Sequence, residues 1–508
     1  MEEKNLSKNI GKNILWNFFG QAWMLILTLA TMPFIIRRLS VDLYGVYMLI
    51  GVIVGYFSFL QFGLGTASIK YISQHLARKE EDKIRKTFWS CLFFYISLGL
   101  FGTLLIALSA HILVEKVFRI PDEFKAISVF ALRVGSAGFF IFMLLSLASS
   151  IIQAIGRFDI LNIIETALGT LQIGVTVALL KYGFSLREII ISNIFLQTVG
   201  ICVYWIYMRK MLPFLAKLSW DAATLRDLLK FGGFVTISSV TAPILLNMEK
   251  IFLTMFRSVS TLTYYSVPYS IINRLSVIPS AFSSVIFPAS SYTHGLHKSE
   301  TNRELHYRST LYIFFLYVFF VVFFVIFGRQ FLAMWIGNDF AENSTDVLII
   351  LALAGLVNAV AWPSAVILQG VGKPHIPAAF HLIETVIYIP LACVFIYKFG
   401  VLGAAFAWFL RVLLDTILLN KASCDLFGER LITWYGRLCY RSFPPMALCC
   451  LLFWWLRSFD LPLLNPISMI GFFTAFILYV LFVWRWGLDD MARNKTLEIL
   501  KESVCTIL

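Results

Sequence analysis

Apolar runs of about 20 residues follow one another along almost the whole of this 508-residue chain, separated by short charged or Gly/Pro-containing segments. That repetition leaves few folds open. A helix needs about 20 apolar residues to cross the hydrocarbon of a bilayer, whereas a membrane barrel strand needs only about ten and alternates in polarity. About fourteen spans are expected, over residues 14–36, 44–65, 87–110, 126–150, 160–180, 187–208, 231–256, 262–287, 309–328, 346–370, 376–397, 401–421, 443–457 and 466–484. With 59% hydrophobic and only 14% charged residues, a water-soluble globule of ordinary composition is excluded. The expected fold is an all-α polytopic membrane protein.

A net charge of +13 suggests nucleic acid in a soluble chain, but here it has another use. If the N-terminus is cytoplasmic, well over half of the 42 Lys and Arg residues fall in cytoplasmic segments, which sets the orientation with both termini inside. Arg37 and Arg38 run against that bias. The mixed charge of the first 13 residues and the lack of a small-residue cleavage site argue against a removable signal peptide. The eight cysteines are scattered, with no CxxC among them, and no disulfide framework is expected. The charged stretch at 70–86 reads as a solvated cytoplasmic helix near anionic headgroups.

Span four ends with Gln153, Gly156 and Arg157, and span ten with Gln369, Gly372 and Lys373. Glycine followed by a cation suits a helix C-terminus, because glycine accepts the left-handed turn and the cation meets the dipole. Lys181 and Gly183 return likewise as Lys398 and Gly400, and Ser40 and Tyr44 as Ser260 and Tyr264. The chain therefore reads as a six-span unit duplicated. An even number of spans gives two parallel lobes around a central cavity. The expected organisation is a first lobe over 1–217, an amphipathic interfacial linker over 218–230, a second lobe over 231–421, and two further helices with a cytoplasmic tail over 422–508. Pro243, Pro268, Pro279 and Pro363 bend helices of the second lobe.

A charge within hydrocarbon costs at least ~2.5 kcal/mol, so intramembrane ionisable groups are the first place to look for function. The cations are Arg274, Lys250, Arg411 and Arg133. Arg274 lies deepest, about a dozen residues from either end of its span, and Asn273 adjoins it. Arg411 precedes Asp415 by one helical turn, so an ion pair within one helix competes with a ligand role. Lys250 and Arg133 lie nearer the outer surface, where snorkelling competes. Among the acids, Glu384 has His381 one turn before it, a spacing that allows a shared proton or a satisfied structural pair. Glu165 is placed to pair with Arg157. Asn17 and Gln21 share one face of span one, and Asn193 and Gln197 one face of span six, either as interhelical contacts or as cavity lining. Cations without a matching excess of deep acids point to an anionic cargo. No Walker A sequence, metal cluster or nucleophile constellation is visible, so no cofactor is expected and any energy input is ionic.

Leu39, Asp42, Tyr44, Gly45 and Tyr47 at the start of span two, and Gly63, Leu64 and Ala67 at its end, resemble the opening helix pair of the polysaccharide-transport branch of the multidrug/oligosaccharidyl-lipid/polysaccharide exporter superfamily. The Gln-x-x-Gly-cation pair and FLAMWIGNDF at 331–340 are similar to that family as well. The resemblance implies twelve to fourteen helices in two lobes, alternating access, and a flippase that carries polyprenyl-pyrophosphate-linked oligosaccharide from the cytoplasmic to the outer leaflet. It implies that Arg274, Lys250, Arg411 and Arg133 meet pyrophosphate or acidic sugars, with Glu384, His381, Asp415, Glu165, Asn17 and Gln21 in a polar or ion-coupling role. The implied partners are the lipid-linked substrate, the bilayer and polymerase or ligase machinery, with no nucleic acid. The implied location is the cytoplasmic membrane, and no enzymatic activity is expected.

Two alternatives differ in charge and loop length. A multidrug antiporter of the same superfamily is expected to have an acid-dominated lumen, whereas the deepest charge here is Arg274. An O-antigen polymerase or ligase needs a large external loop or interfacial carboxylates. The longest expected external loop, 329–345, is too short for a catalytic domain.

Overall fold

In the computed structural model, residues 20, 23–61, 63–296, 299–463 and 465–487 are described. Among them the secondary structure is helical throughout. The helices are α1 (Trp23–Leu39), α2 (Val41–Tyr56), α3 (Leu64–Ala77), α4 (Glu81–Ile112), α5 (Asp122–Gly135), α6 (Ala137–Ala154), α7 (Phe158–Lys181), α8 (Leu186–Met211), α9 (Ala222–Phe256), α10 (Val259–Arg274), α11 (Val277–Gly295), α12 (Ser299–Trp335), α13 (Asn338–Gly370), α14 (His375–Leu426), α15 (Leu431–Arg457) and α16 (Pro466–Phe482). Nine stretches of the described residues are long and apolar enough to cross a bilayer, or ten with the bent pair α1–α2. This is a multi-pass helical membrane protein.

These stretches are fewer than the fourteen expected spans in part because one apolar stretch can hold two of them. The spans expected at 376–397 and 401–421 are two helices that meet at a kink at the non-helical Gly400, and both are included in α14. The crossing expected as one helix over 44–65 is broken. α2 gives way to a 3-10 turn at Phe57–Gln61, and α3 begins after Gly63, whose φ of 62° is left-handed. The crossing expected over 262–287 breaks at Leu275 and Ser276, between α10 and α11. The second crossing of each repeat is thus interrupted. The stretch 222–230, expected within the linker, begins α9, where Asp221 accepts a hydrogen bond from the Thr224 N–H at 3.0 Å.

Helix ends follow the cap chemistry. Gly156 and Gly372 adopt φ of 78° and 81°. Arg157 N–H donates to Ile152 O (3.1 Å) and Gly156 N–H to Gln153 O (2.8 Å), and Lys373 and Gly372 repeat the pattern on Leu368 and Gln369 (2.8 and 3.0 Å). These are Schellman caps, and they make the duplication visible in the backbone. The second repeated glycine diverges. Gly183 closes α7 with φ 83°, whereas Gly400 has φ 60° and ψ −130°. Around that kink the Arg257 guanidinium donates to Tyr397 O (2.7 Å) and Lys398 O (3.2 Å). Between α1 and α2 the chain turns by 118° through Ser40, a non-glycine residue at φ 75° and ψ 160°. That conformation stores of order 1–3 kcal/mol.

The chain forms two compact units, Met1–Ser266 with Ile396–Gly400, and Val267–Phe395 with Val401–Leu508. In the first, α4 and α6 approach closely because Gly102 leaves room for Phe139, whose ring lies 2.3 Å from where a Cβ would be. In the second, Phe319, Phe323 and Phe327 of α12 interleave edge-to-face with Phe453 of α15 and Phe472 of α16, at centroid distances of 5.0–6.2 Å. Such pairs add about 0.5–1.5 kcal/mol each beyond burial. Deeper still, His306 of α12 stacks on Trp434 of α15 at 5.0 Å and 10°. Its Nε2 lies 2.7 Å from Ser364 Oγ, which donates to Asn420 Oδ1 (2.6 Å). Asn420 Nδ2 in turn donates to Tyr435 Oη (2.9 Å). Because Ser364 gives its proton to Asn420, Nε2 of His306 carries the proton between them.

Candidate functional site: a polar cavity and a buried charge cluster

The first unit contains a cavity of about 810 Å³ between α2, α6, α7, α8 and α9. Small-molecule sites typically occupy about 300–1,000 Å³. Apolar residues such as Phe142, Leu145 and Leu168 form part of its wall. Set among them are four carboxamides, Gln172, Asn193, Gln197 and Asn247, with Ser146, Ser149, Tyr47 and Tyr204. The charged residues in its lining are one acid, Glu165, and one cation, Lys250.

Each polar group reaches the cavity from an otherwise apolar helix. Asn193 and Gln197, one turn apart on α8, both line the cavity, and Asn193 makes an interhelical contact as well. Asn193 Nδ2 donates to Tyr47 Oη at 3.4 Å, tying α8 to α2. Asn247 and Lys250, also one turn apart, are joined by a 2.7 Å hydrogen bond from Nζ to Oδ1. Ser146 Oγ donates to Gln61 Oε1 across the broken second crossing (3.3 Å). Two buried polar atoms of the wall, Asn193 Oδ1 and Tyr204 Oη, have no hydrogen-bond partner among the described residues. An unmet buried polar group costs about 1–3 kcal/mol.

The second unit holds a charge cluster. Glu384 is fully buried, Asp415 is 7% exposed, and the Arg411 side chain is 10% accessible. Arg411 reaches Glu384 Oε2 at 3.7 Å and lies over the Tyr388 ring at 5.6 Å. Its described ion pair is therefore with α14's earlier half, not with Asp415 on its own turn. His381 Nδ1 also stands 3.7 Å from Glu384 Oε2, an electrostatic contact too long for a hydrogen bond. Ligating atoms of His381, Glu384 and Asp415 all lie within 4.8 Å of one another. That is a donor set for a small cation, with the Arg411 guanidinium already beside it.

The remaining expected residues fall elsewhere. Arg274 ends α10 and is exposed at the break before α11, and Arg133 is exposed near the end of α5. Glu165 does not pair with Arg157, which instead grips Asp159 through two bonds of 2.9 and 2.8 Å. Asn17 and Gln21 lie outside the described residues. Of the four expected cations, Lys250 lines the cavity of the first unit and Arg411 belongs to the charge cluster of the second. Gln172, Tyr204, Ser146 and Asn247 are uncharged residues within long apolar stretches, so neither hydropathy nor charge marks them in the sequence. The spacing of Asn247 to Lys250 was the one available signal.

Residues 10–294 match the family model described as "Polysaccharide biosynthesis protein", and residues 236–394 match that of "MatE". The chain is 26% identical over 412 residues to the "Putative O-antigen transporter" of Shigella flexneri, covering 81% of this chain and 97% of that one. Among solved structures, it resembles the lipid II flippase MurJ in an inward closed conformation, with a TM-score of 0.70, 12% identity, and 93% and 98% of the two chains covered. It also resembles an inward-facing multidrug resistance MATE family transporter of the MOP superfamily, with a TM-score of 0.64, 15% identity, and 79% and 94% covered. At these identities the two structures establish a shared fold.

Proposed function

The chain belongs to the polysaccharide biosynthesis protein family, within the multidrug/oligosaccharidyl-lipid/polysaccharide exporter superfamily, and from that membership we propose that it is a flippase for polyprenyl-pyrophosphate-linked oligosaccharide. It moves this substrate from the cytoplasmic to the outer leaflet for cell-surface polysaccharide assembly. The observation that carries the reading is the 810 Å³ cavity of the first unit, whose largely apolar wall is set with four carboxamides and several hydroxyls. Amides and hydroxyls placed at membrane depth need a polar guest, and the headgroup of such a lipid is one. The name borne by the Shigella flexneri relative supports the same substrate class.

Lys250 on the cavity wall is the cation we assign to the pyrophosphate, with Arg274 and Arg133 available along exposed surfaces. A charge-assisted hydrogen bond to a phosphate oxygen is roughly twice as strong as a neutral one. We assign energy coupling to Glu384, Asp415 and His381, whose carboxylates and imidazole converge beside Arg411. A proton or other monovalent cation bound there and released on the opposite side supplies ~2.3 kcal/mol per 100 mV of membrane potential. The protein then resides in the cytoplasmic membrane with both termini inside, supplying the polymerase or ligase machinery on the outer face.

One observation favours a second reading, export of organic cations. The cavity wall includes Glu165 and two tyrosines, groups that suit a cationic aromatic guest. The two readings separate in cells lacking the gene, by measuring the amount and sidedness of polyprenyl-linked oligosaccharide. Accumulation on the cytoplasmic leaflet, cleared by wild type and not by Lys250→Ala, is expected of the flippase. Unchanged lipid intermediates with lowered tolerance to cationic drugs overturn it in favour of the exporter.

A further inference from the structure

The chemistry of the cavity wall is more specific than a lipid-linked headgroup requires. A pyrophosphate diester carries about two negative charges, yet among the described residues the charged groups of the wall are a single cation and a single acid. A compact anion held there by charge would demand several cations in a low-dielectric setting. What the wall offers in quantity is the carboxamide, from Gln172, Asn193, Gln197 and Asn247. Each carboxamide presents a donor pair and an acceptor side by side. A sugar hydroxyl is likewise both donor and acceptor, and neighbouring ring hydroxyls repeat that pattern. Tyr47 and Phe142 add aromatic surface to the lining, and aromatic rings pack well against the C–H face of a pyranose.

Two further observations concern the polar groups of the wall. Asn193 and Tyr204, residues only 9% and 2% exposed, keep Oδ1 and Oη buried within the wall without a partner among the described residues, so a guest gains these bonds by turning the two side chains toward the cavity. The other end of the Asn193 amide is already committed to Tyr47. The pairing of Lys250 with Asn247 sets a cation directly against a carboxamide. In the proposed substrate the first sugar is bonded directly to the pyrophosphate, so this neighbourhood reproduces the order of groups along that molecule.

We propose that the first unit's cavity is a saccharide subsite, in which Gln172, Asn193, Gln197 and Asn247 hydrogen-bond uncharged sugar rings of the cargo while Lys250 meets the adjoining phosphate. The inference rests on the flippase reading and refines it. Cargo is selected by the hydroxyl pattern of the sugars nearest the carrier, beyond any general attraction for phosphate. Replacing an amide by an isosteric apolar group removes a hydrogen bond without changing charge. Each such change weakens glycan binding about tenfold.

The test uses the purified full-length protein and the free oligosaccharide released by mild acid from the polyprenyl pyrophosphate of cells lacking the gene. The probe has no phosphate, so Lys250 cannot account for its binding. Saturation-transfer NMR on wild type is expected to show glycan proton signals. These fall at least fivefold in Asn193→Leu/Gln197→Leu and persist in Lys250→Ala. A Gln172→Leu variant, altered on α7 alone, provides a second reading if the double variant does not fold. Translocation of the intact lipid-linked oligosaccharide is measured in vesicles in parallel. Signal of equal strength in wild type and the amide variants overturns the subsite, as does no signal from a wild-type protein that translocates. A wild-type protein that neither translocates nor binds the glycan overturns the flippase reading itself.

Discussion

A Cβ added to Gly45 would lie 2.1 Å from the carbonyl oxygen of Val259, so the backbones of α2 and α10 touch at this point. Thr263 Oγ1 holds the same contact by donating to Val41 O at 2.8 Å. Gly45 belongs to the motif at the start of the second crossing, and its role is this approach, since backbone cannot yield as a flexible side chain does. Gly45→Ala is expected to destabilise the protein by about 1–3 kcal/mol. Gly51, on the same helix, has open space where its Cβ would be. Gly51→Ala is expected to stabilise by roughly 0.5–1 kcal/mol through helix propensity. Thermal unfolding in detergent compares the two, and shifts of the same sign refute the contact.

Arg411 and Glu384 test whether the charge cluster is balanced internally. Arg411→Leu leaves Glu384 and Asp415 buried without their cation, with an expected loss of about 3–5 kcal/mol. Adding Glu384→Gln is expected to restore much of that loss, because the second change removes the charge the first left unpaired. A double-mutant cycle on unfolding midpoints checks this. Strict additivity shows that the 3.7 Å approach carries no coupling.

The left-handed helix caps give opposite signs at glycine and non-glycine positions. Nothing lies within 4 Å of a Cβ at Gly156 or Gly372, so Gly→Ala there is resisted by backbone conformation alone, at about 1–2 kcal/mol. Lys79 occupies the same kind of cap after α3 with φ 57°, its neighbour Glu80 donating N–H to His75 O at 2.9 Å. Lys79→Gly is expected to raise the melting temperature while the two alanine variants lower it.

Acid should loosen the start of α9. Hydrogen bonds from Thr224, through its hydroxyl and its N–H, hold the Asp221 carboxyl below the usual carboxylate range. A group whose folded pKa is depressed contributes stability above its unfolded value of 3.8, and that contribution fades as pH falls through the lower folded value. Wild type is therefore expected to lose stability below about pH 4 more steeply than Asp221→Asn, whose cap does not titrate. Parallel slopes over that range would refute this account of the cap.

The spans, the duplication and the family were legible because hydropathy and cap chemistry are local. Gly156 and Gly372 announce their conformation through their neighbours alone. The broken second crossing was less legible, because Gly51, Gly55, Gly63 and Gly65 permit a break without fixing where it falls. Arg274 shows a different limit. Counting residues placed it deep in a span, but depth along a chain fixes neither the direction in which a side chain leaves its helix nor where that helix ends. The carboxamides of the cavity illustrate the complement. Gln172 and Asn247 stand singly on α7 and α9 and join the Asn193–Gln197 pair of α8 in one site only when those helices pack, so the pair is legible in the sequence and the other two carboxamides are not.

The stack of His306 on Trp434, and the chain of bonds through Ser364 and Asn420 to Tyr435, bear on how this protein acquired its last helices. Segments appended to a finished bundle would meet it across an oily, exchangeable seam and could be shed again. Here the earlier helices depend on the later ones, because cutting after α14 would strip the His306 imidazole of its stacking partner and the buried Asn420 amide of its acceptor. Tyr479 of α16, whose hydroxyl donates to Phe315 O at 2.7 Å, extends the dependence to the end of the described chain. A chain cut after α14 is therefore expected to lose stability. The C-terminal helices have passed from ornament to foundation.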